Sequence, residues 1–220
     1  MSQLPKQLAA EFVGTALLLA AVVGSGIMGE RLSGGNAAIA LLANAIATGG
    51  VLYALIAALG PVSGAHLNPL VTLSQVMLGK LKARLASAYV LTQIVAAVAG
   101  VLIAHWMFDL PTFSPSHHAR SGSGQLLSEV VATFGLLLII LICARRKPES
   151  VPAAVGLYIT AAYWFTASTS FANPAVTIAR SMTDTFSGIR PLDVPGFIGA
   201  QCVGAFFAVL FHRWFARTSE

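Results

Sequence analysis

The chain alternates long apolar runs with short polar breaks, a pattern typical of a helical membrane protein. Six runs come close to the roughly 20 residues that a membrane-spanning helix needs. None shows the two-residue alternation of a barrel strand. We therefore predict an all-α polytopic membrane protein with spans at residues 6–28, 37–59 (broken by Gly60-Pro61), 85–108, 125–144, 151–166 and 194–215.

Two further apolar stretches are too short to cross a bilayer, and both begin with Asn-Pro-x-Val-Thr. Asn is favoured as a helix N-cap and Pro as the first helical residue. We predict half-helices at residues 68–78 and 173–182, each preceded by a re-entrant stretch, at 62–67 and 167–172.

The two halves of the chain carry the same polar residues in the same order. AEFVGTALLLA at residues 10–20 matches SEVVATFGLLL at 128–138, and three pairs align: Glu11 with Glu129, Asn68 with Asn173, and Gln93 with Gln201. Because each half has three spans, the second half enters the membrane from the opposite side. We predict an inverted repeat with halves at 1–108 and 125–220 and a linker at 109–124, forming one channel domain.

The half-helices predict a pore. Re-entrant backbone at membrane depth is tolerated only where protein buries it or where it lines a wet cavity. Each Asn oxygen is expected to cap its own helix, leaving the amide NH₂ directed into the lumen. Two such donors at the positive ends of helix dipoles favour solute oxygens and repel cations. We place the pore centre at Asn68-Pro69 and Asn173-Pro174.

Glu11 and Glu129 lie within apolar spans, where an ionised side chain needs partners. We expect both carboxylates to accept hydrogen bonds from backbone N–H groups of the re-entrant stretches. A proton relay is the alternative.

Composition excludes other classes of protein. Hydrophobic residues make up 56% and charged residues 10%, against about 25% charged in soluble domains. The net charge of +5 comes without a basic stripe interleaved with aromatics, so no nucleic-acid partner is expected. No nucleophile–base or metal-ligand pattern occurs, which predicts no enzyme activity, no cofactor and no metal site.

The Lys and Arg residues predict the orientation. With the termini inside, the inner loops and ends hold nine of the 13 and the outer ones hold Arg31, Arg120, Arg180 and Arg190. By the positive-inside rule, both termini are expected in the cytoplasm.

These residues together resemble the major intrinsic proteins, the aquaporins and aquaglyceroporins, along essentially the whole chain. The resemblance implies six tilted helices plus two half-helices, a pore in each protomer and a homotetramer in membrane lipid. It also implies that the pore is lined by the carbonyls of Gly64, Ala65, His66, Thr169, Ser170 and Phe171.

The selectivity filter implied by the resemblance departs from the family pattern. Val176 stands three residues after the second Asn, where the family usually has arginine. Thr48 stands in the second span where the family has Phe or Trp, and Ser170 takes the loop position. The fifth-span position is either Ala161 or Tyr163, depending on the alignment.

Arg180 lies one helical turn beyond Val176, and Asn44 one turn before Thr48. We expect both at the outer vestibule, with Arg180 adding positive charge beside a wide constriction. Pairing of Arg180 with Asp184 at the surface is the alternative.

A wide, weakly charged filter favours passive flux of small uncharged solutes: glycerol, urea, water and metalloid hydroxides such as arsenous acid. The Thr/Val filter and the segment VPGFIGAQ also resemble bacterial aquaglyceroporins associated with arsenic resistance, which suggests a bacterial inner membrane. A strict water channel and a coupled secondary transporter are the alternatives.

Overall fold

The computed structural model describes residues 3–217, without the side chain of Arg217. Residues 1, 2 and 218–220, the two ends of the predicted domain, lie outside the described residues. The described part contains eight α-helices and no strand, as predicted. They are α1 Leu4–Leu32, α2 Ala37–Ser63, α3 Pro69–Met77, α4 Ala83–Met107, α5 Ser123–Arg146, α6 Val151–Phe165, α7 Pro174–Arg180 and α8 Val194–Arg217.

Five of these helices are long and apolar enough to cross a membrane by themselves. The fifth predicted span, α6, has 15 residues and follows a 3₁₀ turn at Pro148–Ser150. At about 1.5 Å per residue it covers only about 22 Å. The half-helices α3 and α7 are shorter still, with 9 and 7 residues.

The prediction that the second span breaks at Gly60-Pro61 is wrong. Helix α2 continues through Pro61 to Ser63 and ends at Gly64, whose φ of 88° lies in the left-handed region. Pro61 lies in the final turn, where the missing N–H removes a single intrahelical hydrogen bond. The first re-entrant stretch is therefore four residues long, 64–67.

The helices pack in the same pairs in both halves. Helix α1 packs against α4, and α5 packs in the same way against α8. Glycine allows the close approach in each pair: a Cβ at Gly100 would overlap the carbonyl of Ala16, and one at Gly204 would overlap that of Val130. The half-helices α3 and α7 contact each other between these pairs.

Candidate pore

The two half-helices begin at the residues predicted from the Asn-Pro motifs. Asn68 is the N-cap of α3, and its Oδ1 accepts a hydrogen bond from the Leu70 N–H at 2.9 Å. Asn173 is the N-cap of α7 and accepts from the Ala175 N–H at 3.0 Å. Both N-termini therefore meet in the protein interior with their positive dipole ends together.

The amide NH₂ groups are not wholly free, which corrects the prediction. Asn68 Nδ2 donates to the Ala172 carbonyl and Asn173 Nδ2 to the Leu67 carbonyl, each at 2.8 Å. Each asparagine thus ties its own half-helix to the re-entrant stretch of the other half. The second N–H of each amide has no acceptor among the described residues and remains available to a solute.

A cavity of about 670 Å³ runs past both asparagines. One end, here called the inner end, is bordered by Pro148 and Glu149. The other, the outer end, is bordered by Thr48 and Arg180.

Four of the predicted filter residues line this cavity: Thr48, Tyr163, Ser170 and Val176. The hydroxyls of Thr48 and Tyr163 are 3.2 Å apart. The Ser170 hydroxyl is buried and has no hydrogen-bond partner among the described residues. The outer end therefore combines three hydroxyl groups with the apolar side chain of Val176.

Of the two candidates for the fifth-span position, the structure brings Tyr163 to the cavity. Ala161 is exposed on the outer surface of α6 and does not line the cavity. The alignment that counted back from Asn173 was therefore wrong. The second re-entrant stretch has seven residues, 166–172, against four in the first, and this difference shifts the register.

The re-entrant stretches line the cavity in part as expected. Gly64, Ala65 and His66 border it from the first stretch, and Phe171 borders it with Ser170 from the second. Thr169 is not among the lining residues, which corrects the prediction for its carbonyl, and its hydroxyl lies 3.5 Å from Arg120 Nη1.

Several non-glycine residues of these stretches have φ in the left-handed region: Ala65, Leu67, Thr169, Ser170 and Ala172. Each costs about 1–2 kcal/mol for a residue with a Cβ. The conformation persists because other groups hold it, and two buried carboxylates are the main ones.

Glu11 holds the first stretch. Its carboxylate accepts four hydrogen bonds, at 2.8–2.9 Å, from Ser63 Oγ, His66 N–H, Leu67 N–H and Gln93 Nε2. These contacts match the structural role predicted for the buried glutamate.

Glu129 holds the second stretch with the same set of partners. It accepts from Ser168 Oγ, Phe171 N–H, Ala172 N–H and Gln201 Nε2, at 2.6–2.9 Å. The two halves therefore match at the level of individual hydrogen bonds, because Ser63, Glu11 and Gln93 correspond to Ser168, Glu129 and Gln201.

Arg180 does not pair with Asp184. Asp184 is engaged by His117, and hydrogen bonds from the His117 backbone N–H and ring lower the pKa of Asp184. Arg180 is 2% exposed, and its guanidinium carbon lies 3.5 Å from the centre of the Phe171 ring. Its Nε donates to the Ser187 carbonyl, and the side chain borders the outer end of the cavity.

Asn44 does not reach the vestibule, which corrects another prediction. Its Nδ2 donates to the Val22 carbonyl and to Ser25 Oγ, both at 2.8 Å, and the residue is buried between α2 and α1. These two hydrogen bonds to α1 hold the Asn44 side chain between the helices.

Sequence reasoning missed the part played by Arg120. The linker carries this arginine inward to the second re-entrant stretch, where its Nη1 donates to the Ser168 carbonyl at 3.2 Å. No local motif signals this contact, because it joins residues that are far apart in the chain.

The fold is all-helical and membrane-spanning, and its two half-helices meet end to end beside a cavity that passes both of their N-termini. This combination defines a channel. Among the described residues, no group of three or more His, Cys, Asp and Glu residues could hold a metal ion.

Comparison with known proteins agrees with this class. The family model described as "Major intrinsic protein" matches residues 1–169. Aquaglyceroporin AqpS of Rhizobium meliloti (strain 1021) is 56% identical over 96% of this chain and 90% of its own length. Aquaporin A of Dictyostelium discoideum is 32% identical over 92% of this chain and 76% of its own. The X-ray structure of the aquaglyceroporin from Plasmodium falciparum, at 22% identity, shares the fold with a TM-score of 0.75 over 95% of both chains.

The chain belongs to the major intrinsic protein family. It is a membrane channel for small solutes and not an enzyme.

Proposed function

We propose that the protein is a passive channel for uncharged solutes of the size of glycerol and urea, that it also passes water, and that arsenous acid is among its substrates. The filter supports this proposal most strongly. Val176 takes the place of a bulky cation, and Thr48 and Tyr163 bring hydroxyls to a cavity of about 670 Å³ that Ser170 also borders. The similarity to an aquaglyceroporin supports it as well.

The chemistry of the outer end fits a solute that has both polar and apolar faces. The hydroxyls of Thr48 and Tyr163 can exchange hydrogen bonds with solute hydroxyls, which offsets the loss of water on entry. Val176 presents no polar group that would lose its hydration. Arsenous acid, an uncharged trihydroxide, displays hydroxyls much as a small polyol does.

Cations meet an electropositive path. The N-termini of α3 and α7 direct their dipoles toward the pore centre, and the free N–H groups of Asn68 and Asn173 add two donors. The Arg180 guanidinium adds a full charge at the outer end, with no carboxylate within 4 Å among the described residues. We propose that this field excludes cations without narrowing the filter.

Two other functions fit less well. A strict water channel needs a tighter filter than Thr48 and Val176 provide. A coupled transporter needs an ionisable group at the midplane, but both central positions are amides. Glu11 and Glu129 each hold four hydrogen bonds that would have to break for proton exchange.

We further propose a homotetramer in the bacterial inner membrane with both termini in the cytoplasm. The Lys and Arg distribution supports the orientation. Large apolar side chains exposed on the helices, such as Leu17, Leu91, Leu157 and Phe207, supply surface for lipid and for neighbouring protomers.

The proposal is tested by a solute panel on purified protein in liposomes, with glycerol, urea, arsenous acid and water followed by vesicle swelling or uptake. We expect all four to permeate faster than through protein-free vesicles. In Thr48→Phe, the ring fills the outer end and should slow glycerol about tenfold, an added barrier of about 1.4 kcal/mol.

Ala161→Phe is the matched control, because it adds a similar group on the exposed face of α6 and should leave every flux unchanged. If Ala161→Phe loses glycerol flux while Thr48→Phe keeps it, Thr48 does not line the selective part of the pore and Ala161 does.

A further inference from the structure

The Phe171 ring contacts two guanidinium groups. Arg180 lies 3.5 Å and Arg120 5.1 Å from the ring centre, measured from the guanidinium carbon. The ring also packs edge-on against Phe197, with centroids 5.2 Å apart. Because Phe171 borders the cavity and Arg180 lies against it, the position of this ring bears directly on where the charge at the outer end sits.

Arg120 joins three separate segments around this ring. Its Nε donates to the Gly188 carbonyl at 2.7 Å, and its Nη1 donates to the Ser168 carbonyl at 3.2 Å. Its backbone N–H donates to Asp193 Oδ2 at 2.8 Å, just before α8. One linker residue therefore connects the second re-entrant stretch, the loop after α7 and the start of α8.

The two arginines are anchored side by side. Arg180 Nε donates to the Ser187 carbonyl, and Arg120 Nε donates to the next carbonyl, that of Gly188. Anything that moves this loop moves the anchor of Arg180. By contrast, no described residue accepts a hydrogen bond from Arg180 Nη1 or Nη2, so that end of the guanidinium is positioned by the loop and the Phe171 ring alone.

Arg120 and Glu129 hold opposite ends of the strained stretch that carries the filter. Glu129 binds the N–H groups of Phe171 and Ala172, at its end, and also accepts a hydrogen bond from Ser168 Oγ near its beginning. Arg120 binds the Ser168 carbonyl and the Thr169 hydroxyl, at its beginning. Ser170, the loop residue of the filter, lies between these two anchors with a φ of 52°.

We propose that Arg120 is a positioning residue of the selectivity filter: by holding the Ser168 and Gly188 carbonyls and the Phe171 ring, it fixes Ser170 and the Arg180 guanidinium at the outer end of the pore. This inference rests on the proposed function. It makes the linker, and not only the half-helices, a determinant of which solutes pass.

The test compares Arg120→Met, which keeps the length of the stem but removes the charge and the donors, with Arg120→Lys, which keeps the charge but cannot span both carbonyls. The control is Arg31→Met, an outer arginine of α1 whose guanidinium lies over the Phe108 ring and donates to the Phe108 carbonyl, and which shares no partner with Arg120 among the described residues. The readout is the ratio of glycerol to water permeability in liposomes, together with the thermal unfolding midpoint.

We expect Arg120→Met to change the permeability ratio by about three- to tenfold, the factor by which losing one net hydrogen bond shifts a conformational equilibrium. Arg120→Lys should fall between Met and the original protein, and Arg31→Met should leave the ratio unchanged. A purely structural role would lower the unfolding midpoint and both permeabilities together at a constant ratio.

An unchanged ratio in folded Arg120→Met and Arg120→Lys overturns the inference and leaves the channel proposal intact. Absence of glycerol flux in the original protein overturns the channel proposal itself. A ratio change of equal size in Arg31→Met would also overturn the inference, since it would show a general effect of outer charge.

Discussion

Moving the cation of the outer pore inward by one turn, in the double variant Val176→Arg/Arg180→Val, should lower glycerol permeability at least about tenfold, an added barrier of about 1.4 kcal/mol. Water permeability should change far less. The two positions lie on the same face of α7, and Val176 borders the cavity beside Thr48 and Tyr163. A guanidinium there would occupy the space through which the solute passes.

The double variant gives a result that is easier to interpret than that of Val176→Arg alone. The single substitution would place two arginines on one face of the helix, about 6 Å apart along its axis, with no carboxylate within 4 Å of Arg180 among the described residues. Like charges this close in a buried site repel strongly, so a loss of flux could reflect misfolding. Arg180→Val alone is the matched control: it should retain glycerol flux and raise cation leak.

The outcome that contradicts the filter assignment is a glycerol-to-water ratio that the double variant leaves unchanged. Val176 would then lie outside the selective region. Both permeabilities are measured by stopped-flow light scattering on the same vesicles, so differences in protein incorporation cancel in the ratio.

Glu129→Ala should prevent accumulation of folded protein. It removes the acceptor of four buried donors, and each unsatisfied group costs about 1–3 kcal/mol. The total rivals the whole stability of a typical domain, about 5–15 kcal/mol. The measurement is the yield of monodisperse protein by size exclusion after detergent extraction, and Glu11→Ala should behave alike.

Glu129→Gln should be tolerated and keep its solute flux. The amide oxygen still accepts from Ser168 Oγ and the Phe171 N–H, and the NH₂ can donate to Gln201 Oε1, which has no partner at present, if the Gln201 amide turns over. Only the Ala172 N–H then loses its acceptor, a cost of about 1–3 kcal/mol against four lost acceptor contacts in Glu129→Ala. A folded Glu129→Ala protein with normal flux would contradict the anchoring role. Folded Glu11→Gln or Glu129→Gln without flux would favour the proton relay instead.

Most of the fold could be predicted from the sequence, because the strongest signals in the sequence are local or repeated. Apolar run length located the spans, and Asn68-Pro69 and Asn173-Pro174 located the half-helix starts, since N-cap chemistry depends on adjacent residues. The pairing of Glu11 with the first re-entrant stretch was also predictable, because a buried carboxylate needs donors and that stretch has free N–H groups.

The errors arose where packing between distant segments decides the outcome. Asn44 turns toward α1 because Gly29 lets the two helices approach closely at Ala40, which spacing along α2 alone does not reveal. The sequence allowed two interpretations of Arg180, an outer-vestibule charge or a partner of Asp184. The partner of Asp184 is His117, which the linker brings from a distant part of the chain. The choice between Ala161 and Tyr163 depended on a seven-residue stretch compacted by left-handed residues.

The central claim is passive conduction of an uncharged solute, and uptake of labelled glycerol into proteoliposomes tests it most directly, with and without a proton gradient. We predict uptake well above that of protein-free vesicles, ending at equal internal and external concentrations, and no effect of the gradient. No uptake above the protein-free level, or accumulation beyond the external concentration, would contradict the account.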